Sequence, residues 1–271
     1  MKQDISRAEL SKQIKQKKSF LCVGLDTDIN KLPSHFRKTP ENVRAFNRDI
    51  IMATFDTCVA YKINVAFYEA MGTAGWNCLK KTVELIPPHL FIIADAKRGD
   101  IGNTANLYAR AFFEDMGVHA VTLSPYMGKD SITPFLEYKN KWSILLGLTS
   151  NEGAADFQLQ KMKDGKFLYE HVLKTSAKWG SANNMMYVVG ATKAAALKTI
   201  RKIIPDHFLL VPGVGAQSGD MKEVIKNGAN KQGGLLINAS RSILYAGNGK
   251  DFANKAREEA LKLKKQMAFA F

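Results

Sequence analysis

Short apolar runs recur eight times along this chain, and each is followed by a stretch with helical periodicity. The runs are SFLCVGLD, CVAYKIN, LFIIADAK, HAVTLSPY, WSILLGLTS, MMYVVGAT, HFLLVPGVG and GGLLINASR. Continuous apolar runs of this length read as strands buried on both faces of a parallel sheet. Between them, at spacings of roughly 20–40 residues, lie helical patterns such as Ser6 to Lys17, Asn42 to Thr57, Trp76 to Ile86 and Ala105 to Met116. Pro87 and Pro88 stop the third of these helices. Eight strand–helix units in 271 residues, with no break in composition, predict an α/β protein. The predicted architecture is a single (β/α)8 TIM barrel, one domain over residues 1–271. The competing doubly wound open sheet has fewer strands as a rule, and its GxGxxG fingerprint is missing after the first run.

Charge and cysteines narrow the class of partner. The chain carries a formal net charge of +14, with its lysines spread along the whole length and no basic arm or tail. That distribution suits a surface that attracts an anionic substrate better than it suits a nucleic-acid partner. Cys22, Cys58 and Cys78 are odd in number and form no CxxC pair. Free, buried thiols in a reducing cytoplasm are therefore expected. The first twenty residues are polar and hold no apolar signal core, and no run of eighteen apolar residues occurs, so no membrane partner is expected.

In a barrel, the carboxyl ends of all the strands face one site. Those ends carry Asp26, Lys62 with Asn64, Asp95 with Lys97, Ser124, Thr149 with Ser150, the turn from Pro212 to Gln217, and Arg241. The stretch FIIADAKRGDIGNT is the most informative of them. Side chains alternate along a strand, so Asp95 and Lys97 point to one face. Asp100 lies beyond Gly99 on a turn and need not follow them. A solvated salt-bridge cluster is the bland reading of such a pattern. Combined with Lys62, it instead reads as an array of lysines and carboxylates whose charges must pair to be buried. An array of this kind holds Lys97 protonated and in place to act as a general acid. It favours proton delivery to a carbanion, and the residues alone leave an imine-forming lysine open.

A second subsite follows strands seven and eight. Gly213 and Gly215 let backbone N–H groups turn inward as an anion-binding concavity beside Pro212, while Gln217 offers an amide. Arg241 adds a forked cation, and barrels commonly hold phosphate with these two loops. A phosphomonoester ligand is expected. No metal set appears among the five histidines, and His119, at the head of the fourth strand, reads as structural or exposed.

The motif DAKRGDIGNTA, with GLD and YKI upstream and PGVGAQ and Arg-Ser downstream, resembles the orotidine 5'-phosphate decarboxylase family, with wording and length nearest its type 2 subgroup. The resemblance spans Asp26 to Arg241. It implies decarboxylation of orotidine 5'-monophosphate to uridine 5'-monophosphate, the last step of pyrimidine synthesis, without cofactor or metal, by a homodimer with shared active sites. Carried over by position, Lys97 would protonate carbon 6 and Asp95 would face the substrate carboxylate. Lys62 and Asp26 would contact the ribose, and Asp100 with Ile101 and Thr104 would enter the partner's site. Gln217 and Arg241 would grip the phosphate, and Thr149 or Ser150 would meet the pyrimidine. The stretch Asn151 to Gly165 matches the shorter family members poorly, and its role is open.

Two rival readings make different predictions. A sugar-phosphate decarboxylase or aldolase on the same barrel would need a divalent metal and lose activity in EDTA. A basic nucleic-acid-binding module would bind RNA or DNA with steep salt dependence and show no tight affinity for a nucleoside monophosphate.

Overall fold

Each of the eight apolar runs forms a strand, and each strand pairs in parallel with the next. The computed structural model describes residues 3–213 and 220–271. The strands are β1 (Leu21–Gly24), β2 (Ala60–Asn64), β3 (Phe91–Arg98), β4 (Ala120–Leu123), β5 (Trp142–Leu148), β6 (Met185–Val189), β7 (Phe208–Pro212) and β8 (Leu235–Ala239). They close in chain order, with β8 returning to β1 through Leu21 opposite Ile237 and Val23 opposite Ala239. This is the expected (β/α)8 TIM barrel. Among the described residues the helices are α1 (Arg7–Lys17), α2 (Pro40–Thr54), α3 (Ala66–Glu69), α4 (Gly72–Leu85), α5 (Gly102–Arg110), α6 (Thr133–Leu136), α7 (Leu168–Ser176), α8 (Leu197–Ile203), α9 (Met221–Gly228), α10 (Arg241–Leu244) and α11 (Phe252–Met267).

Local chemistry sets several boundaries. Pro40 opens α2 at a position where no N–H is missed, and the Thr39 side chain accepts from Asn42 N–H. The Asp220 carboxylate caps α9 by accepting from the N–H groups of Lys222 and Glu223. The helix expected from Ala105 begins at Gly102 and ends in a π-type turn, Ala111–Asp115. No described helix is long and apolar enough to cross a membrane.

The amino-terminal ends of the strands are sealed. Ser6 and Glu9 form a reciprocal capping box that starts α1, and Leu10 and Ile14 are fully buried. The buried Trp142 indole donates to Ile5 O at 3.1 Å. His119 accepts from Ile92 N–H at Nδ1, 3.0 Å, and Nε2 lies 2.7 Å from Gln3 O, which it meets as a donor in the neutral tautomer. His119 is structural. With one end closed, the polar strand ends at the other are left to form the site.

A second buried histidine at the sealed end makes stability pH-dependent. His207 is 9% exposed, rests edge-on against Tyr187, and has no side-chain hydrogen-bond partner among the described residues. Burial, reinforced by the neighbouring Arg201 and Arg7 guanidiniums, pushes its pKa from 6.5 down to about 4. Between those values the unfolded chain takes up a proton that the folded chain refuses. Stability is therefore full above pH 6.5 and falls as the pH drops toward 4, by roughly 3 kcal/mol over the window. Urea denaturation of His207→Phe at pH 7 and pH 4 checks this. The variant is expected to lose about 3 kcal/mol less than the wild type on acidification.

Candidate active site

Three neighbouring strands supply an alternating line of charges. Asp26 lies just past β1, Lys62 on β2, and Asp95 and Lys97 on β3. Lys62 Nζ donates to Asp26 Oδ1 at 3.1 Å and to Asp95 Oδ2 at 2.9 Å. Lys97 Nζ donates to the other oxygen of Asp95 at 2.7 Å. The exposures grade across the line: the Lys62 side chain is 4% exposed, Asp95 13% and Lys97 49%. Lys62 is thus the buried hub, and Lys97 is the end that meets the cleft.

Hydrogen bonds from the surrounding strands complete the array. Asp26 also accepts from Asn64 N–H at 3.1 Å and from Ser240 Oγ at 2.8 Å. The Thr122 hydroxyl on β4 donates to Asp95 Oδ1 at 2.9 Å and accepts from Lys97 N–H at 3.0 Å. Burial alone would raise the Asp95 pKa, but Lys62 and Lys97 outweigh it and hold the carboxyl at about 2. Burial likewise works against the Lys62 ammonium, and Asp26 and Asp95 reverse that and raise its pKa. Asp95 and Lys62 are thereby both kept charged at neutral pH.

Lys97 reaches this place by an irregular backbone. Its φ is +49°, left-handed, and the register between β3 and β4 shifts between Ala94 and Arg98. A non-glycine residue there costs on the order of 1–2 kcal/mol, offset by the bonds to Thr122 and Asp95. Asp95 and Lys97 do share a face, but through a kink in place of the regular pleat. Close approach matters at Gly24 as well. A Cβ there would lie 1.8 Å from Ser240 Oγ, the group that holds Asp26.

The line forms one wall of a cleft of about 750 Å³. Pro212, Gly213 and Arg241 line another part of it, with Thr149 and Ser150 from the end of β5. Gly213 has φ +96°, a conformation that favours glycine. Gly215 and Gln217 lie outside the described residues. Asp100, Ile101 and Thr104 do not line this cleft. The Asp100 carboxylate accepts from Ile101 N–H at 2.9 Å, and Ile101 is 51% exposed. Ser124 also stays out of the cleft. Among the described residues no group of three or more His, Cys, Asp or Glu side chains is placed to hold a metal ion.

Several lining or supporting residues escape sequence reasoning. Thr122 is a lone polar residue inside an apolar strand and gives no signal. Asn238 and Ser240 alternate with Ala239 at the end of β8, a period-two pattern that could have flagged both. Tyr245 and Gln158 line the cleft from loops, without a motif.

Fold and site together define a (β/α)8 barrel of the enzyme class that carries a buried carboxylate–ammonium array at the carboxyl ends of its strands. The chain belongs to the orotidine 5'-phosphate decarboxylase / HUMPS family, whose model matches residues 19–256. An orotidine 5'-phosphate decarboxylase from Flavobacterium johnsoniae is 57% identical over 263 residues, covering 96% of each chain. One from Bacteroides fragilis is 54% identical over 267 residues, covering 97% of each. The solved structure of Leishmania donovani OMP decarboxylase superposes with a TM-score of 0.82 at 34% identity, covering 96% of this chain and 99% of that one.

Proposed function

We propose that this chain decarboxylates orotidine 5'-monophosphate to uridine 5'-monophosphate, with Lys97 as the proton donor. The observation that carries the reading is the Lys97–Asp95 contact of 2.7 Å at the cleft end of a charge-balanced array. The bond from carbon 6 to the carboxylate breaks, carbon dioxide leaves, and the electron pair stays on carbon 6. The Lys97 ammonium stabilises that developing charge and delivers its proton there. Asp95, ionised well below neutral pH, faces the departing carboxylate and holds Lys97. Lys62 and Asp26 meet the ribose hydroxyls, and Thr149 or Ser150 meets the pyrimidine. Pro212, Gly213, Gly215, Gln217 and Arg241 hold the phosphate. The net charge of +14 supports steering of this anionic substrate.

The active form is a homodimer, with Asp100, Ile101 and Thr104 entering the partner's cleft. Their place outside their own cleft supports this. So do Leu107, Tyr126 and Met127, large apolar residues at 47%, 86% and 47% exposure on or near the same stretches. The three cysteines are free and buried, which supports a cytoplasmic location.

Loss of orotidine 5'-monophosphate absorbance with purified protein in EDTA tests the reading. Activity that disappears with the chelator and returns with a divalent metal would point to the metal-dependent relatives instead. Arg241→Ala is expected to act on binding. It should raise KM and lower kcat/KM by the equivalent of about 1.5–3 kcal/mol, as loss of a charged hydrogen bond does. Steady-state kinetics check this, and unchanged constants would move the phosphate site elsewhere.

A further inference from the structure

Resting on that reading, we infer that Thr27, Asn47 and Tyr68 are positioning residues for Asp26, and so set how tightly the protein holds the ribose hydroxyls of its ligand. None of the three lines the cleft. Asn47 comes from α2 and Tyr68 from α3, while Thr27 directly follows Asp26.

The need for such a device follows from where β1 stops. The strand ends at Gly24, opposite Lys62, so Asp26 stands two residues past the last ladder pair. Leu25 N–H still donates to Lys62 O at 2.8 Å, and beyond it no strand pairing locates the chain. A carboxylate on such a loop is placed by whatever holds the backbone on each side of it.

One buried cluster holds both sides. The Tyr68 hydroxyl donates to Leu25 O, immediately before Asp26, at 2.9 Å. The Thr27 hydroxyl, immediately after it, donates to Asn47 Oδ1 at 2.6 Å. Asn47 joins the two anchors, because its Nδ2 donates to Tyr68 Oη at 2.8 Å and to Thr82 Oγ1 on α4 at 3.2 Å. The directions are forced. A carbonyl only accepts, so the Tyr68 proton goes to Leu25, and the Tyr68 oxygen must accept from the Asn47 amide. That leaves the Asn47 carbonyl oxygen for Thr27. Burial pushes the Tyr68 pKa up, so the phenol keeps the proton it donates. Thr27, Asn47, Tyr68 and Thr82 are each 1% exposed or less, so water does not replace a lost partner. Polar groups this deep are costly unless bonded, and each of these four has a partner within the cluster. The Asp26 carboxylate itself lines the cleft. Loosening either anchor therefore moves it against a ligand without removing any group from the cleft.

The test compares competitive inhibition by uridine 5'-monophosphate and by its 2',3'-dideoxy analogue, which keeps base and phosphate and lacks the ribose hydroxyls. Thr27→Val keeps the shape and removes the donor to Asn47. It is expected to weaken uridine 5'-monophosphate about tenfold and to leave the dideoxy analogue unchanged, since partial loss of a charged hydrogen bond is of this order. KM for orotidine 5'-monophosphate should rise with kcat nearly constant. Thr27→Ser, which keeps the hydroxyl, should bind both inhibitors as the wild type does. Tyr68→Phe, which releases Leu25 O, should repeat the selectivity of Thr27→Val, and it decides alone if Thr27→Val does not fold. A purely structural cluster would lower the urea midpoint and leave the ratio of the two inhibition constants at its wild-type value. That result, or an equal weakening of both inhibitors, overturns the inference. Wild-type protein that is inert toward orotidine 5'-monophosphate, or that binds the two inhibitors equally, would defeat the underlying reading instead, so the two failures are distinguishable.

Discussion

Lys97→Ala is expected to lower kcat by roughly 10⁴-fold or more while the protein stays folded. The size follows from two losses at one position. A positioned general acid contributes about 10²–10⁴-fold, and a fixed charge at the site of developing negative charge about 10²–10³-fold. The folded state survives because Lys97 is the exposed end of the array. Its removal leaves Asp95 bonded to Lys62 at 2.9 Å and to Thr122 at 2.9 Å. Lys62 is the contrasting position, since its loss would strand Asp26 and Asp95 without the buried cation between them. Rapid-quench or steady-state assays, with circular dichroism as the check on folding, measure the effect. Turnover within tenfold of the wild type would remove Lys97 from the chemistry.

The second large effect is the recovery of activity by mixing two inactive variants. Asp100→Ala and Lys97→Ala should each be nearly inactive as pure homodimers. In a mixed dimer one site carries both defects and the other carries neither. Random assortment of equal amounts makes about half of the dimers mixed, each with one intact site of two. Recovery should therefore approach roughly a quarter of wild-type activity, as closed twofold symmetry requires. The geometry behind this is local. Gly99 follows Arg98, β3 ends there, and Asp100 turns to bond Ile101 N–H instead of lining its own cleft. A mixture that stays inactive after verified subunit exchange would return Asp100 to its own subunit or take it out of the site.

Much of this protein was legible before its structure. The eight apolar runs became eight strands because continuous hydrophobicity at strand length needs burial on both faces, and a parallel barrel supplies it. Asp95 and Lys97 were legible as a pair because they stand two residues apart at a strand end, although a left-handed kink at Lys97, and not the regular pleat, brings them together. The glycine at 213 was legible because its φ of +96° favours a residue without a side chain.

Other features depended on contacts that no local pattern encodes. Ser240 holds Asp26 across a separation of 214 residues, and only closure of β8 onto β1 brings them together. Thr122 reaches Asp95 because β4 lies beside β3, and an isolated threonine in an apolar strand carries no sign of that. Gln158, nine residues beyond Thr149, folds back to bond its N–H and hydroxyl, a contact that no local pattern announces. The left-handed Lys97 depends on a register shift between two strands, whereas composition alone would have kept it in the pleat. Periodicity is a property of neighbours along the chain, so sequence by itself determined the elements and which of their ends are charged. Hydrogen-bond partners are a property of neighbours in space, so only the closed barrel decided which charges meet and which hydroxyls and amides hold them.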